Sequence, residues 1–205
     1  METAERTTTH AAADAPALSQ EPRPFGWTKS QYYQMGEMGW FDNARVELVD
    51  GEIITMSPIS ALHWTAVVLA NEALRKVFTK GYLVVVQNSF DGGPRSEPQP
   101  DIAVLAGQPR DYVQALPSQA ALIVEVSLTT LAYDRTRKAA LYAQAGIEDY
   151  WIVNLNAGQV EAHRRPGAQP TGAFGYADIT IYQSGQAIAP LAMPNAAVAV
   201  ADLLP

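Results

Sequence analysis

Apolar residues recur at helical spacing in two parts of the chain. Between residues 60 and 80 they repeat every three to four positions, which predicts a long amphipathic helix. A second helix is predicted over residues 134–145, with Gly146 as its C-terminal stop. Closer to the N-terminus, a short helical segment follows two candidate caps, Thr28 and Ser30.

Runs with a period of two, and continuously apolar runs, predict strands around these helices. The segment RVELVDGEIITMS indicates a hairpin with strands near 45–49 and 52–57, because Asp50-Gly51 is the dipeptide that a type I′ turn favours. Further strands are predicted in YLVVVQ, DIAVLA, ALIVEVS, DYWIVN, QVEAHR and DITIYQ. This order predicts an α/β (α+β) fold, a curved mixed β-sheet flanked by helices, rather than a regular βαβ series.

Composition narrows the class of protein. The 205 residues suit a tail over residues 1–24, expected to be disordered, and one domain over residues 25–205. The chain has no cysteine, which excludes disulfides and thiolate metal sites and is compatible with a cytoplasmic location. No apolar stretch approaches the roughly 20 residues that span a bilayer. The formal charge of −7 counts against broad electrostatic adhesion to nucleic acid.

Two acidic residues do not fit a plain core pattern. Glu125 stands in the middle of the apolar run ALIVEVS, where a buried carboxylate is unfavourable unless something compensates it. Asp101 opens the next predicted strand upstream, directly after Pro100. An exposed edge strand would explain Glu125, and turn chemistry would explain Asp101 alone. Together they favour a shared divalent cation, Mg²⁺ or Mn²⁺, because carboxylate oxygens are hard ligands.

A lysine falls on the apolar stripe of the second predicted helix. Helical steps of three and four connect Lys138 with Asp134, Leu141 and Tyr142. A surface Asp134–Lys138 pair does not explain why the lysine lies on the side that faces the sheet. We therefore expect its ammonium group to point at the two acids, with Asp134 steering it.

Two further polar residues leave alternatives open. Glu47 lies inside the predicted hairpin strand, between Val46 and Leu48, and is either a fourth member of the site or an exposed hairpin residue. His63, near the start of the long helix, is either a substrate contact or an ordinary helix-end residue.

In this order, the stretches RVELVDGEIITMSP, PDIAVLAG, LIVEVS and YDRTRKAALYAQAGIEDYWIVN resemble the Uma-type family of restriction endonuclease-like proteins, formerly a domain of unknown function. The resemblance covers roughly Phe25 to the C-terminus and places the chain in the PD-(D/E)XK nuclease superfamily. It implies a restriction-endonuclease-like core and Mg²⁺-dependent cleavage of nucleic acid. It also implies a homo-oligomer, with a dimer as the favoured oligomeric state.

Carried over by position, the resemblance matches Asp101 to the motif aspartate and Glu125 to the acid of the following strand. Glu47 matches the acid of the early hairpin. The chain departs from the superfamily pattern two residues after the acid, where Ser127 replaces the expected lysine. The resemblance implies that Lys138, from the next helix, supplies the amine instead.

The leading hypothesis is an endonuclease that hydrolyses phosphodiester bonds, with DNA favoured over RNA. Asp101, Glu125 and the backbone carbonyl of Val126 would hold Mg²⁺, or Mn²⁺, and Glu47 would hold a second ion or tune the first. Lys138 would position or deprotonate water, so Lys138→Met should abolish cleavage while leaving the melting temperature nearly unchanged. The Gly- and Pro-rich loop over residues 89–99, which includes Arg95, is expected to be mobile and to close on the substrate.

Two other classes remain open. The acidic charge fits a nuclease-fold binding or assembly module that no longer cuts. A glycoside hydrolase would use Asp101 and Glu125 as its two acids, but it gives Lys138 no task.

Overall fold

The computed structural model describes residues 24–205, so the predicted tail lies outside the described residues except for Pro24. The first helix, α1, spans Lys29–Glu37, and Thr28 rather than Ser30 caps it through a capping box with Gln31. The predicted hairpin follows as β1 (Val46–Val49) and β2 (Glu52–Thr55). Positive φ angles at Asp50 (50°) and Gly51 (78°) confirm the two-residue turn.

Six strands form one mixed sheet. In chain order they are β3 (Tyr82–Val86), β4 (Ile102–Ala106), β5 (Leu122–Ser127), β6 (Asp149–Asn154), β7 (Gln159–Ala168) and β8 (Phe174–Gln183). Their order across the sheet follows their order in the chain. Every pair is antiparallel except β5 and β6, which are parallel and therefore need a crossover connection. The predicted mixed sheet is confirmed, and β7 and β8 are longer than the sequence predicted.

The long helix α2 (Ala61–Val77) covers one face of this sheet. Ser60 caps its first turn by accepting a hydrogen bond from the His63 N–H at 3.2 Å. The helix ends three residues before the predicted limit, because Phe78 leaves the helical backbone region and its side chain is buried. Two short strands, β9 (Ala187–Ile188) and β10 (Val198–Ala199), and a 3₁₀ turn complete this layer.

The crossover between β5 and β6 is a continuous helical segment with an irregular centre. It consists of α3 (Leu131–Tyr133), a π-helical turn (Asp134–Lys138) and α4 (Ala139–Gln144), which we call the crossover helix. The Ala139 N–H reaches back five residues to the Asp134 carbonyl, which defines the π turn. The crossover helix starts three residues earlier than predicted and packs on the sheet face opposite α2.

Alternation along β5 fixes which side chains meet each helix. Leu122, Val124 and Val126 belong to the core under α2. Ile123 belongs to the second core, under the crossover helix, and Glu125 and Ser127 share its face. The predicted division of this strand is therefore confirmed, and it delivers a glutamate to the face that the crossover helix covers.

The loop over residues 89–99 is tied to the hairpin. Phe90 is buried and its N–H donates to the Pro98 carbonyl at 2.9 Å, while the Glu97 N–H donates to the Leu48 carbonyl at 2.7 Å. Arg95 lies against Gly51 at the hairpin turn. Backbone hydrogen bonds thus tie this loop to the hairpin, and its closure on a substrate stays a prediction.

A buried aspartate joins the C-terminal segment to the sheet. Asp149 is fully buried and accepts hydrogen bonds from Trp151 Nε1 (2.8 Å), Arg164 Nε (2.9 Å) and the Leu191 N–H (2.8 Å). We predict that Asp149→Ala lowers the free energy of unfolding by roughly 3 kcal/mol, because one buried and two partly buried donors lose their acceptor. Urea unfolding measures this change.

The matched control is Asp178→Ala at the edge of the same sheet. Asp178 also pairs with an arginine of β7, Arg165, but both side chains are largely exposed. An exposed pair contributes about 0–1 kcal/mol, so this variant should unfold almost like the wild type. Equal effects of the two substitutions would contradict the role given to Asp149.

Among the described residues, no helix has both the length and the apolar character needed to cross a membrane.

Candidate active site

The two acids singled out in the sequence lie side by side. Ile102 of β4 pairs with Val124 of β5, and continuing this antiparallel register by one residue sets Asp101 opposite Glu125. The Asp101 N–H donates to Glu125 Oε2 at 3.2 Å. Both residues are buried, so neither an exposed edge strand nor turn chemistry alone explains them. The structure thus brings the predicted pair together on one face.

Three groups hold the Asp101 carboxylate. Its Oδ2 accepts the Val126 N–H at 2.9 Å and lies 3.2 Å from His63 Nε2, while its Oδ1 accepts Gln87 Nε2 at 3.1 Å. Burial alone would raise the pKa of this carboxyl, but the contacts with His63, Val126 and Gln87 outweigh it and lower the pKa below its usual value. Asp101 is therefore held ionised, as a metal ligand must be.

Lys138 reaches the acids from the crossover helix. Its Nζ lies 3.1 Å from Glu125 Oε1 and 2.6 Å from Glu47 Oε2, and the lysine is only 1% exposed. The contact with Glu47 is a short ion pair between two buried side chains. Burial lowers the pKa of the ammonium group, but Glu125 and Glu47 together raise it well above its usual value. Lys138 therefore stays charged.

Glu47 belongs to the buried cluster and is not an exposed hairpin residue. It is 1% exposed, and its carboxylate is engaged with the Lys138 ammonium group. The sequence left this choice open because an acid within a strand pattern fits either face equally well. The arrangement supports a role in anchoring the lysine, and it leaves the predicted role as a ligand for a second ion untested.

Asp134 does not contact the lysine that it was expected to steer. Its Oδ2 accepts hydrogen bonds from the Ser127 hydroxyl and from Thr130 Oγ1, the latter at 2.7 Å, and it forms no ion pair with Lys138. The prediction rested on the spacing of an α-helix, and the π turn changes the angle between residues four positions apart. Ser127, at the position of the missing superfamily lysine, instead fixes Asp134.

The site carries more buried negative than positive charge. Four acids (Glu47, Asp101, Glu125 and Asp134) surround one ammonium group, so full ionisation leaves an excess of three negative charges, or two if His63 is protonated. Burial raises the pKa of the Glu125 carboxyl to about 8; Lys138 opposes this shift, and the other three acids add to it. The missing positive charge is what a divalent cation would supply.

This imbalance predicts an unusual pH dependence of stability. Because the pKa of Glu125 is higher in the folded protein than the ordinary 4.5, the folded state binds more protons than the unfolded state between about pH 4.5 and pH 8. The contribution of Glu125 to stability is therefore present at pH 4.5 and is lost as the pH rises through 8. Without metal, we expect the melting temperature to fall by roughly 5 °C between pH 5.5 and pH 8.

Calorimetric melting of the chelator-treated protein across this range measures the fall. Glu125→Gln removes the titrating carboxyl and should flatten the curve. Millimolar Mg²⁺ should raise the melting temperature more at pH 8 than at pH 5.5, because the ion competes with the proton. A wild-type melting temperature that rises over this interval would contradict the assigned shift.

The oxygen atoms at the site fit Mg²⁺ or Mn²⁺ by their chemistry. Asp101 and Glu125 provide carboxylates, and the Val126 carbonyl points to the same side as its N–H, which donates to Asp101. The neighbouring Ser127 carbonyl points the other way, to Leu155 beyond β6. Within residues 24–205, no group of three or more His, Cys, Asp or Glu side chains could hold a metal ion. The chain would thus supply two acids and one carbonyl and leave the other positions to water, as Mg²⁺ sites commonly do.

A cleft of about 260 Å³ opens beside these groups. The hairpin, the start of α2, the end of β5 and the crossover helix all line it, together with Gln87 from the end of β3. Both Asp101 and Glu125 reach it, and so does Lys138. The cleft therefore gives a substrate access to the acid cluster.

The sequence analysis did not assign four polar neighbours to the site: His63, Gln87, Tyr133 and Tyr142. His63 was considered, but nothing in its local spacing connects it to an aspartate 38 residues later. Gln87 adopts a positive φ of 50° at the end of a strand, and no local sequence pattern predicts this conformation. Tyr142, whose O–H donates to Glu125 Oε1 at 2.7 Å, was visible on the helical stripe of Lys138 but was read as core.

Comparisons with known proteins identify a family for this chain and a solved structure of similar fold. The sequence profile of the Uma2 family, described as "Putative restriction endonuclease", matches residues 30–201. A crystal structure of an Anabaena variabilis protein, described as a "putative nuclease" of a family of unknown function, has a similar fold with a TM-score of 0.60 and 14% sequence identity. The likeness covers 78% of this chain and 89% of the other chain. No curated protein matches the sequence.

The family profile spans most of the chain, and its match includes all of the residues that build the acid cluster. The likeness to the Anabaena protein shows that the two proteins share the mixed sheet with its flanking helices. The chain therefore belongs to the Uma2 family of restriction endonuclease-like proteins.

Proposed function

We propose that this protein is a metal-dependent endonuclease that hydrolyses phosphodiester bonds of nucleic acid with Mg²⁺ or Mn²⁺. The observation that carries the proposal is the pair Asp101 and Glu125 on neighbouring strands, with the Lys138 ammonium group 3.1 Å from Glu125 Oε1. Two acids and one amine are the groups that this chemistry needs, and a cleft gives access to them.

Asp101, Glu125 and the Val126 carbonyl are the groups proposed to hold the ion. When bound, the ion would polarise the scissile phosphate and lower the pKa of a coordinated water. Hydrolysis adds the water oxygen to phosphorus, breaks one phosphorus–oxygen ester bond and leaves a proton on the departing oxygen. Lys138 remains charged, so its role is to orient the water and to stabilise the negative charge that develops on the phosphoryl oxygens, rather than to act as a base.

Two residues position the groups that do this work. Glu47 holds the lysine ammonium group from the hairpin side, and Tyr142 holds Glu125 Oε1 from the crossover helix. Both are buried, so the cluster is preorganised before any substrate arrives.

We propose DNA rather than RNA as the substrate, on the strength of the family description alone. The cleft has few cations, chiefly Arg45 and Lys138, and the whole chain has a formal charge of −7. Binding should therefore depend on the metal ion and weaken with added salt less steeply than for a protein with a broad basic surface.

Nicking of supercoiled plasmid tests the proposal. Cleavage is expected with Mg²⁺ or Mn²⁺ and not with chelator. Absence of both cleavage and metal binding would instead favour the catalytically silent binding or assembly module, which the acidic charge also fits.

We also propose that the chain forms a homodimer through the outer edge of β8. Ile179 and Ile181 are 57% and 50% exposed on this edge strand, which is ten residues long and has no proline. Antiparallel pairing with a second copy can set Ile179 opposite Ile181 twice, which is the self-complementary contact that twofold symmetry requires.

Light scattering on the full chain tests this interface and should give twice the chain mass. Ile181→Asp should halve the measured mass. A wild-type monomer, or a dimer that Ile181→Asp leaves intact, would contradict this interface.

A further inference from the structure

The hydroxyl group of Tyr133, in the cleft, makes no hydrogen bond within the described residues. Three buried polar side-chain atoms that line the cleft make no hydrogen bond within the described residues: Tyr133 Oη, His63 Nδ1 and Glu47 Oε2. The other nitrogen of His63 contacts Asp101, and Glu47 Oε2 is ion-paired with Lys138. Tyr133 alone has its one polar atom entirely unused.

An unpaired buried hydroxyl is unfavourable, because the group has given up water without gaining a partner. Most buried polar groups in native proteins are paired, and the exceptions occur often at functional sites. The ring of Tyr133 would fill its space equally well as phenylalanine. We therefore expect the hydroxyl to form its hydrogen bond with a molecule that enters the cleft.

The surroundings of Tyr133 indicate what that partner is. Tyr133 directly precedes the π turn that ends at Lys138, and π turns are frequent at functional sites. Burial raises the pKa of its hydroxyl to about 12; Lys138 opposes the shift, and Glu47 adds to it. The group therefore remains a hydrogen-bond donor at neutral pH and lies within the electrostatic reach of the lysine. A donor beside an ammonium group favours an anionic oxygen as its acceptor.

We propose that the Tyr133 hydroxyl is a substrate contact that donates a hydrogen bond to a non-bridging oxygen of the phosphodiester in the cleft. The inference rests on the proposed nuclease function and adds a residue to it. Lys138 and Tyr133 then form a two-donor subsite for the phosphate oxygens, at opposite ends of one π turn, while Asp101 and Glu125 hold the ion. The irregular helix segment presents both donors to the cleft at once.

Tyr133→Phe tests the assignment with a minimal change of shape. The kcat of plasmid cleavage should fall about 10²–10³-fold, as for the loss of one donor to a charged transition state. The affinity for Mn²⁺ should stay at the wild-type value. The melting temperature should be unchanged or higher, because the substitution removes an unpaired hydroxyl.

Tyr176→Phe is the matched control. The Tyr176 hydroxyl donates to the Ile147 carbonyl at 2.9 Å, away from the cleft lining. This variant should have a lower melting temperature and wild-type cleavage, which is the opposite signature. A Tyr133→Phe variant with the signature of Tyr176→Phe would overturn the inference and assign Tyr133 a structural role.

A binding measurement separates this inference from the nuclease proposal. A fluorescent 12-nucleotide DNA strand is titrated in Ca²⁺, and Tyr133→Phe should raise its Kd at least threefold while Tyr176→Phe leaves it unchanged. If the wild type cleaves DNA and Tyr133→Phe matches it in cleavage and binding, the inference fails and the nuclease stands. If the wild type never cleaves but the binding difference appears, the nuclease proposal fails and the phosphate contact stands.

Discussion

Lys138→Met is expected to lower Mg²⁺-dependent cleavage by about 10²–10³-fold, because it removes the ammonium group that faces developing charge on the phosphate. The structure also predicts a loss of stability, contrary to the expectation of an unchanged melting temperature drawn from sequence. Lys138 is buried between Glu125 and Glu47, and its removal leaves two acids without their cation. This should cost roughly 3 kcal/mol, or about 5–10 °C in melting temperature.

The double variant Glu47→Gln/Lys138→Met separates stability from chemistry. It removes one negative charge together with the positive one, so its melting temperature should lie above that of Lys138→Met. Its cleavage should remain as low as in the single variant, because the lysine is still missing. Recovery of cleavage in the double variant would show that the lysine acts only through folding.

Asp101→Asn is expected to lower the affinity for Mn²⁺ by about 10–100-fold and to reduce cleavage to the background level. The substitution removes the ligand charge while preserving its size, and an amide is a weaker ligand than a carboxylate for a hard cation. The contacts of Asp101 with the Val126 N–H and Gln87 Nε2 involve donors, so one Asn oxygen can keep only part of them. Isothermal titration calorimetry measures the affinity directly.

Asp178→Asn is the matched control for this change. Asp178 lies on the outer strand of the same sheet and pairs with an exposed arginine. Its replacement removes the same charge from the chain but should leave Mn²⁺ affinity and cleavage at their wild-type values. Equal losses of affinity in the two variants would indicate nonspecific attraction of the ion by the acidic protein rather than a site at Asp101.

A two-acid glycoside hydrolase accounts for less of the structure than a nuclease does. Glycoside hydrolysis needs two spaced carboxyl groups. It does not need an ammonium group such as that of Lys138, which lies 3.1 Å from Glu125 Oε1. The family profile, whose description names a restriction endonuclease, also favours the nuclease.

Local pattern predicted those parts of the fold that local geometry decides. Asp50-Gly51 specified its turn because few dipeptides accept two positive φ angles. Alternation along β5 placed Glu125 on the face of the crossover helix, and helical spacing placed Lys138 on the stripe that meets it. Each of these inferences needed only neighbouring residues, and the last two identified members of the buried cluster.

The sequence pattern could not predict the contacts that His63 and Glu47 make with distant segments. The pairing of His63 with Asp101 depends on how the start of α2 packs against the start of β4, and no periodicity encodes that. The burial of Glu47 depends in the same way on how the hairpin packs against the crossover helix. The expected Asp134–Lys138 contact does not form, because the prediction assumed a regular α-helix and this segment is a π turn.

The most direct test of the shared cation is anomalous diffraction from crystals soaked in Mn²⁺ at neutral to alkaline pH. A cation shared by Asp101 and Glu125 should give one strong anomalous peak within about 2.0–2.3 Å of oxygen atoms from both residues, with the Val126 carbonyl as a third protein ligand. Well-diffracting soaked crystals with no peak between these two carboxylates, or with Mn²⁺ bound only elsewhere, would contradict it.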